Sequence, residues 1–180
     1  MSTPADVHLG QRMSWEEYTR LGDDVRAEYI DGRAVMTPSP SRRHQDAARR
    51  MARTLDEVVP STHRVTLAWS WRVRRDEFVP DVMVHPLTDE DVRFTGLPAL
   101  VVEVLSSNRG DDLVRKTVKY AAAGLLHYWI LDPRDRDRVL DAYELVDGAY
   151  ELRARLTDDE MGDIPFGVAT AHVNLADLLS

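Results

Sequence analysis

One carboxylate stands inside an aliphatic run, Leu100-Val101-Val102-Glu103-Val104-Leu105, with Pro98 before it and Ser106-Ser107-Asn108 after it. A run of this length and valine content predicts a central strand buried on both faces. An unpaired ionised carboxylate there would cost roughly several kcal/mol or more, so Glu103 requires a metal, a cation or a donor network. Asp81 opens a second apolar run, Asp81-Val82-Met83-Val84, directly after Pro80. On neighbouring strands with aligned faces, Asp81 and Glu103 would present two carboxylates to one point. Such hard oxygen ligands suit Mg²⁺ or Mn²⁺. Zinc fits poorly, because the chain has no cysteine and its six histidines are scattered. A divalent ion so held can polarise a phosphodiester and lower the pKa of a water. Lys116, on the helix that follows, could orient that water or balance charge on the phosphate. Glu28, in an early hairpin, and His44, on the inner side of a helix, complete the candidate set.

Each of these residues also has a structural explanation. Asp81 could cap a strand after Pro80. Glu103 could pair with an arginine such as Arg72 or Arg74. Lys116 lies four residues after Asp112, the spacing of a surface ion pair worth about 0.2–0.5 kcal/mol. A histidine on an apolar face, as His44 would be, is commonly a core or capping residue, and Glu28 alone reads as a solvated strand residue. The cluster Arg42, Arg43, Arg49, Arg50 and Arg53 reads as a solvated helix face. Trp69, Trp71 and Trp129 read as core or interface.

The elements that would position these side chains follow from local chemistry. Ser14-Trp15-Glu16-Glu17 is a capping box, with a short helix to about Leu21 and Gly22 closing it. Asp31-Gly32 joins Ala27–Ile30 to Arg33–Met36 as a hairpin. Ser41 caps a helix to about Val59, with His44, Ala48, Met51, Leu55 and Val58 along one face. Residues 65–73 read as one or two strands, and Pro80 sets a strand start, a bulge or a sheet edge near Asp81. Asp111 or Asp112 caps a helix to about Ala123. Val114, Val118, Ala121 and Leu125 form its apolar face, with Lys116, Lys119 and Ala123 on another side. A short strand at Tyr128–Leu131, a second hairpin turning at Asp147-Gly148, and a terminal helix near 175–179 complete the chain.

With 180 residues, the chain is expected to form one domain spanning 1–180, with residues 1–12 flexible. No apolar run approaches the ~20 residues of a membrane helix. No secretory leader is seen, and the lack of cysteine fits a reducing compartment, so the cytoplasm is expected. A net charge of −8 argues against a large DNA-coating surface and leaves room for a local basic groove.

Several short motifs occur in a characteristic order: Glu28-Tyr29-Ile30-Asp31-Gly32, Ser39-Pro40-Ser41-Arg42-Arg43-His44, Pro80-Asp81-Val82, Leu100 to Ser106, Asp112 with Lys116 and Tyr120, and Gly124 through Tyr128-Trp129 to Asp132. Together they resemble the PD-(D/E)XK nuclease superfamily and, more narrowly, the Uma2 family of restriction-endonuclease-like proteins. The resemblance implies an α/β fold with a restriction-endonuclease-like mixed β-sheet core flanked by helices. It implies a Mg²⁺- or Mn²⁺-dependent endonuclease with DNA as partner and Asp81 and Glu103 as metal ligands. Lys116 would be the catalytic lysine, Glu28 the upstream acid and His44 a site-lining residue. A homodimer follows from the need for two sites to cut two strands. The chain departs from the superfamily at Leu105, where Glu-x-Lys would put the lysine; the following helix supplies Lys116 instead. That departure and the acidic charge motivate the alternative, a non-catalytic module on the same fold that binds nucleic acid or protein.

Overall fold

The structure is a computed structural model. It describes residues 10–22, 25–37, 39–106, 110–134 and 138–180, with only the backbone described at 110–112. In chain order the elements are β1 (Gln11–Arg12), α1 (Trp15–Tyr18), β2 (Ala27–Ile30), β3 (Arg33–Met36), α2 (Arg42–Asp56), β4 (His63–Leu67), β5 (Ser70–Val73), β6 (Asp76–Phe78), β7 (Val82–Pro86), β8 (Arg93–Phe94), β9 (Leu100–Val104), α3 (Gly110–Ala123), β10 (His127–Asp132), β11 (Val139–Val146), β12 (Ala149–Thr157), β13 (Met161–Pro165), β14 (Thr170–Asn174) and α4 (Leu175–Leu179). This is a mixed α/β fold. The first six-stranded sheet runs β1-β3-β2-β6-β5-β8, the second runs β12-β11-β10-β9-β7-β4, and β13-β14 form a separate hairpin.

β9 lies inside the second sheet, parallel to β10 and antiparallel to β7, and all five of its residues are buried. Successive side chains on a strand point to opposite faces. Leu100, Val102 and Val104 therefore join one core with Ala48, Met51 and Leu55 of α2. Val101 joins another, between the two sheets, with Ile30, Trp71, Phe78, Tyr120 and Tyr128. Glu103 is two residues from Val101 and shares this second face.

The segment 65–84 crosses between the sheets twice. β4 and β7 pair in the second sheet, whereas β5 and β6, between them in sequence, pair in the first. Val79-Pro80-Asp81 is the return crossing, where the missing N–H of Pro80 removes a ladder donor that no neighbouring strand needs. The Ala68 N–H donates to the Asp81 carbonyl at 3.3 Å, joining the outward crossing to the return.

Most local expectations hold. The capping box at Ser14 forms, though α1 ends at Tyr18. The two hairpins turn on Asp31-Gly32 (φ +52° and +73°) and Asp147-Gly148 (φ +48° and +83°), the paired positive φ of a two-residue hairpin loop. Ser41 Oγ accepts from the His44 N–H at 3.3 Å and starts α2. Trp71 and Trp129 are core residues, and Trp69 is half-buried.

Three expectations need correction. Gln11 and Arg12, expected to be flexible, pair with Ala34 and Arg33 in β1; residues 1–9 lie outside the described residues. The β13-β14 hairpin was not anticipated, because neither strand is a clean apolar alternation flanked by a two-residue turn. The helix α3 is turned relative to its apolar stripe: Val114 and Val118 are 65% and 62% exposed, while Lys116 and Tyr120 are buried. Leu113 and Ala123 lie on the same inward face and pack against the inter-sheet core. The side chains of Asp111 and Asp112, expected to cap this helix, lie outside the described residues.

Because Val118 is outward, Val118→Lys should change unfolding free energy by less than about 0.5 kcal/mol. Leu125→Ala, in the inter-sheet core, should lower it by about 2–5 kcal/mol. Urea unfolding of the two variants checks both, and a loss in Val118→Lys as large as that in Leu125→Ala would place Val118 inward.

Candidate active site

Strand register brings the two carboxylates into the same neighbourhood. The last paired residues of β7 and β9 are Val82 and Val102, so Asp81, in the bend just before β7, lies beside the Glu103 position, near enough for its charge to raise the Glu103 carboxyl. Asp81 Oδ2 accepts the Val104 N–H at 2.8 Å, which fixes the carboxylate at the mouth of the strand pair. His44 Nε2 lies 3.2 Å from the same oxygen, brought there by the first turn of α2.

Glu103 is held from above by α3. Lys116 Nζ donates to both of its oxygens at 3.1 Å, and the Tyr120 hydroxyl donates to Oε1 at 2.8 Å. Lys116 and Tyr120 are four residues apart, so one helix face supplies both donors. Glu28 comes from the other sheet. Its Oε1 accepts the Val79 N–H at 2.9 Å and lies 2.9 Å from Lys116 Nζ. The five candidates thus fall into two neighbouring groups, Asp81 with His44 and Glu103 with Lys116 and Glu28, although the two sheets and two helices that carry them are far apart in sequence.

The structural alternatives for these residues fare differently. Glu103 does have a cationic partner, but it is Lys116. Arg72 stacks its guanidinium 3.4 Å from the Trp15 ring centroid, and Arg74 Nη2 donates to the Ala122 carbonyl at 2.7 Å. Lys116 is no surface residue: its side chain is 2% exposed, as is that of Glu28. Its expected partner Asp112 has its side chain outside the described residues. Lys119, on the next turn, reaches Asp31 and Asp76 instead, pinning the first hairpin to α3. The α2 arginines are mostly solvated, as in the Arg42–Asp46 and Arg49–Asp46 pairs at 3.2 and 2.9 Å.

A cleft of about 750 Å³ opens over the site, lined among others by Tyr18, Arg26, Arg43, His44, Asp81 and Arg93. Asp81 is 18% exposed and faces it, whereas Glu103, at 6%, lies deeper. Glu77 at the cleft wall accepts from Tyr18 at 3.1 Å and from Arg93 Nε at 2.7 Å, holding both in place. Tyr18, Glu77 and Arg93 escaped sequence reasoning, since nothing in their local pattern separates them from ordinary polar residues. Tyr120 stood in a motif without a role; its four-residue offset from Lys116 is the signal that assigns one.

Burial pushes the Glu103 carboxyl up to about 7. Lys116 opposes the shift, Asp81 and Glu28 add to it by like-charge repulsion, and the Tyr120 hydrogen bond opposes it. Burial also raises Tyr120 well above the usual phenol range, with Glu103 and Glu28 adding to the shift, so it remains a protonated donor. Two carboxylates, Glu28 and Glu103, share the Lys116 ammonium, and Asp81 stands close by with His44; a divalent cation would offset the surplus of acids. Among the described residues no group of three or more His, Cys, Asp or Glu side chains is arranged to cage a metal ion. Magnesium does not need a cage; one or two carboxylates, waters and substrate phosphates suffice. Asp81, a hard oxygen donor lining the cleft, with the buried Glu103 carboxyl beside it, has the donor chemistry of that open type of site.

Three comparisons bear on this arrangement. The Uma2 family model, described as "Putative restriction endonuclease", matches residues 15–173. A crystal structure described as "a putative nuclease belonging to DUF820" from Anabaena variabilis is similar in fold. Its TM-score is 0.73 at 19% sequence identity, over 93% of this chain and 97% of that one. No curated protein matches the sequence.

The raised carboxyl has a signed consequence. Between the ordinary carboxylate range and about 7, the folded state holds a proton on Glu103 that the unfolded chain has released, so this group makes stability fall as pH rises through that window. In the metal-free protein, carbon-detected NMR should find one carboxyl titrating near 7, absent in Glu103→Gln. The stability curve of that variant should lack the corresponding fall. A Glu103 midpoint in the ordinary range would contradict the geometry.

Proposed function

The chain belongs to the Uma2 family, and from that premise we propose that it is a divalent-metal-dependent endodeoxyribonuclease that hydrolyses DNA phosphodiester bonds in the cleft above Asp81 and Glu103. The observation that carries this reading is the Asp81 carboxylate lining a cleft beside His44, with the buried Glu103 carboxyl next to it and a lysine shared between Glu103 and Glu28. Asp81 and Glu103 would hold Mg²⁺ or Mn²⁺, which supplies charge for the phosphoryl oxygens and acidifies the attacking water. The remaining roles belong to the chain. The Val104 N–H and His44 fix the direction of Asp81. Tyr120 fixes Glu103, and Glu28 anchors the ammonium of Lys116 beside the reacting phosphate, where it orients the water or balances developing charge. Arg26, Arg43 and Arg93 at the cleft supply positive charge for the flanking phosphates, which gives a chain of net charge −8 a local basic surface.

The same reading takes 1–180 as one nuclease domain, working as a cytoplasmic homodimer whose two sites cut the two strands. No helix among the described residues is long and apolar enough to cross a membrane. A second reading, a non-catalytic module binding nucleic acid or protein, draws support from one observation: Glu103 already has its donors without a metal.

Incubation of plasmid DNA with Mg²⁺ or Mn²⁺ separates the two readings. Cleavage should appear with the native protein and fall by at least about 100-fold in Asp81→Ala and in Glu103→Ala, the scale of losing a principal electrostatic stabiliser. His44→Ala should weaken cleavage by about 10–100-fold, the range for a residue that supports a metal ligand. Cleavage that persists unchanged in Glu103→Ala would remove the assignment, and DNA binding without cleavage under any divalent ion would favour the module.

A further inference from the structure

Lys116 occupies the carboxylate that a metal would use. Both Glu103 oxygens accept from its Nζ at 3.1 Å, and Oε1 also accepts from Tyr120. A divalent ion arriving at Glu103 therefore meets an ammonium already bound there, and the two positive charges would share one carboxylate in a buried site where their repulsion is weakly screened. The ammonium already has a second hold. Glu28 Oε1 lies 2.9 Å from Nζ, and the Val79 N–H holds that carboxylate in place. Tyr120, bonded to Glu103 independently of Lys116, keeps the carboxylate directed when the ammonium withdraws.

The residue type fits this role. The chain contains 23 lysines and arginines, of which only Lys116 and Lys119 are lysine. An arginine would clamp Glu103 through a rigid planar fork, whereas an ammonium is a compact point charge on a flexible stem that can share carboxylates and move between them. Lys119 is engaged elsewhere, with Asp31 and Asp76.

Resting on the metal-site reading above, we propose that Lys116 is a tethered competitor for the divalent ion. It neutralises Glu103 in the metal-free protein, and metal binding at Asp81 and Glu103 displaces it towards Glu28. Lys116 thus bridges Glu103 and Glu28 in the metal-free protein, keeps Glu28 alone when metal takes Glu103, and lowers the metal affinity of the resting protein. The competition is set by charge and position and needs no DNA.

Calorimetric titration of the full chain with Mn²⁺, in the absence of DNA, tests this. Lys116→Met should bind Mn²⁺ at least about 10-fold more tightly than the native protein; equal or weaker binding by the folded variant would overturn the competition and leave the nuclease reading standing. Absence of Mn²⁺ binding in both proteins would overturn the competition and the metal site together. Lys116→Met leaves two buried carboxylates without their cation and could fail to fold, so a second measurement uses the intact residue. With ¹⁵N-lysine labelling the chain gives only two side-chain ammonium signals, and Lys119→Arg leaves one. Saturating Mg²⁺ should shift that Lys116 signal in step with binding. A signal unmoved at saturation would overturn the displacement.

Discussion

The arrangement depends on one buried charge problem. Glu28, Glu103 and Lys116 lie between the two sheets with side chains 2–6% exposed, and Asp81 adds a third carboxylate at the edge of the same space. Each ion has been taken out of water, and its partners repay that loss only while all are present. The network draws on β2 of the first sheet, β9 of the second and α3 over both, so it makes the closure of the two sheets a condition of its own neutrality. Apolar residues of similar volume would stabilise such an interior about as well. Retaining two acids and a lysine in the interior, beside an Asp81 that lines a cleft, where a packed core would serve stability, is what points to chemistry.

The surrounding fold serves this geometry. Pro80 ends the ladder of the first sheet and lets the chain return to the second with Asp81 at the turn, so the carboxylate emerges beside Val104 and does not bury itself in β7. The first turn of α2 delivers His44 to it, and Ser41 fixes where that turn begins. On the cleft wall, Glu77 restrains Arg93 and Tyr18, so the positive rim is held by acids that the acidic composition supplies. A chain of net charge −8 thus gathers Arg26, Arg43 and Arg93 around one cleft that Asp81 also lines.

The helix α3 shows how the electrostatic demand overrides hydrophobic patterning. Its most apolar stripe, through Val114 and Val118, faces outward, and its inward face carries Lys116 and Tyr120 beside Leu113 and Ala123. A helix read by periodicity alone puts the valines inside. Two buried carboxylates on the facing sheets outweigh that preference, because leaving them without a cation and a donor would cost more than exposing two valines. The same reasoning explains why Glu28, an ordinary strand residue by its neighbours in sequence, is buried.

The amino-acid order alone determined the elements whose causes are local. Asp-Gly fixed two hairpins by its tolerance of positive φ, Ser14 and Ser41 fixed two helix starts by accepting backbone N–H groups, and the aliphatic run around Glu103 fixed the central strand. It also singled out Asp81, Glu103, Lys116, Glu28 and His44, since charge in an apolar setting, together with motif order, is visible without coordinates. Only the tertiary structure decided that 65–84 divides between two sheets, which way α3 is turned, and that the cation answering Glu103 is Lys116, shared with Glu28, where Arg72 or Arg74 is the partner the sequence suggests. Those outcomes rest on contacts between residues up to 88 positions apart, Asp31 to Lys119 among them. Such contacts exist only once both sheets have closed, and no local propensity encodes them.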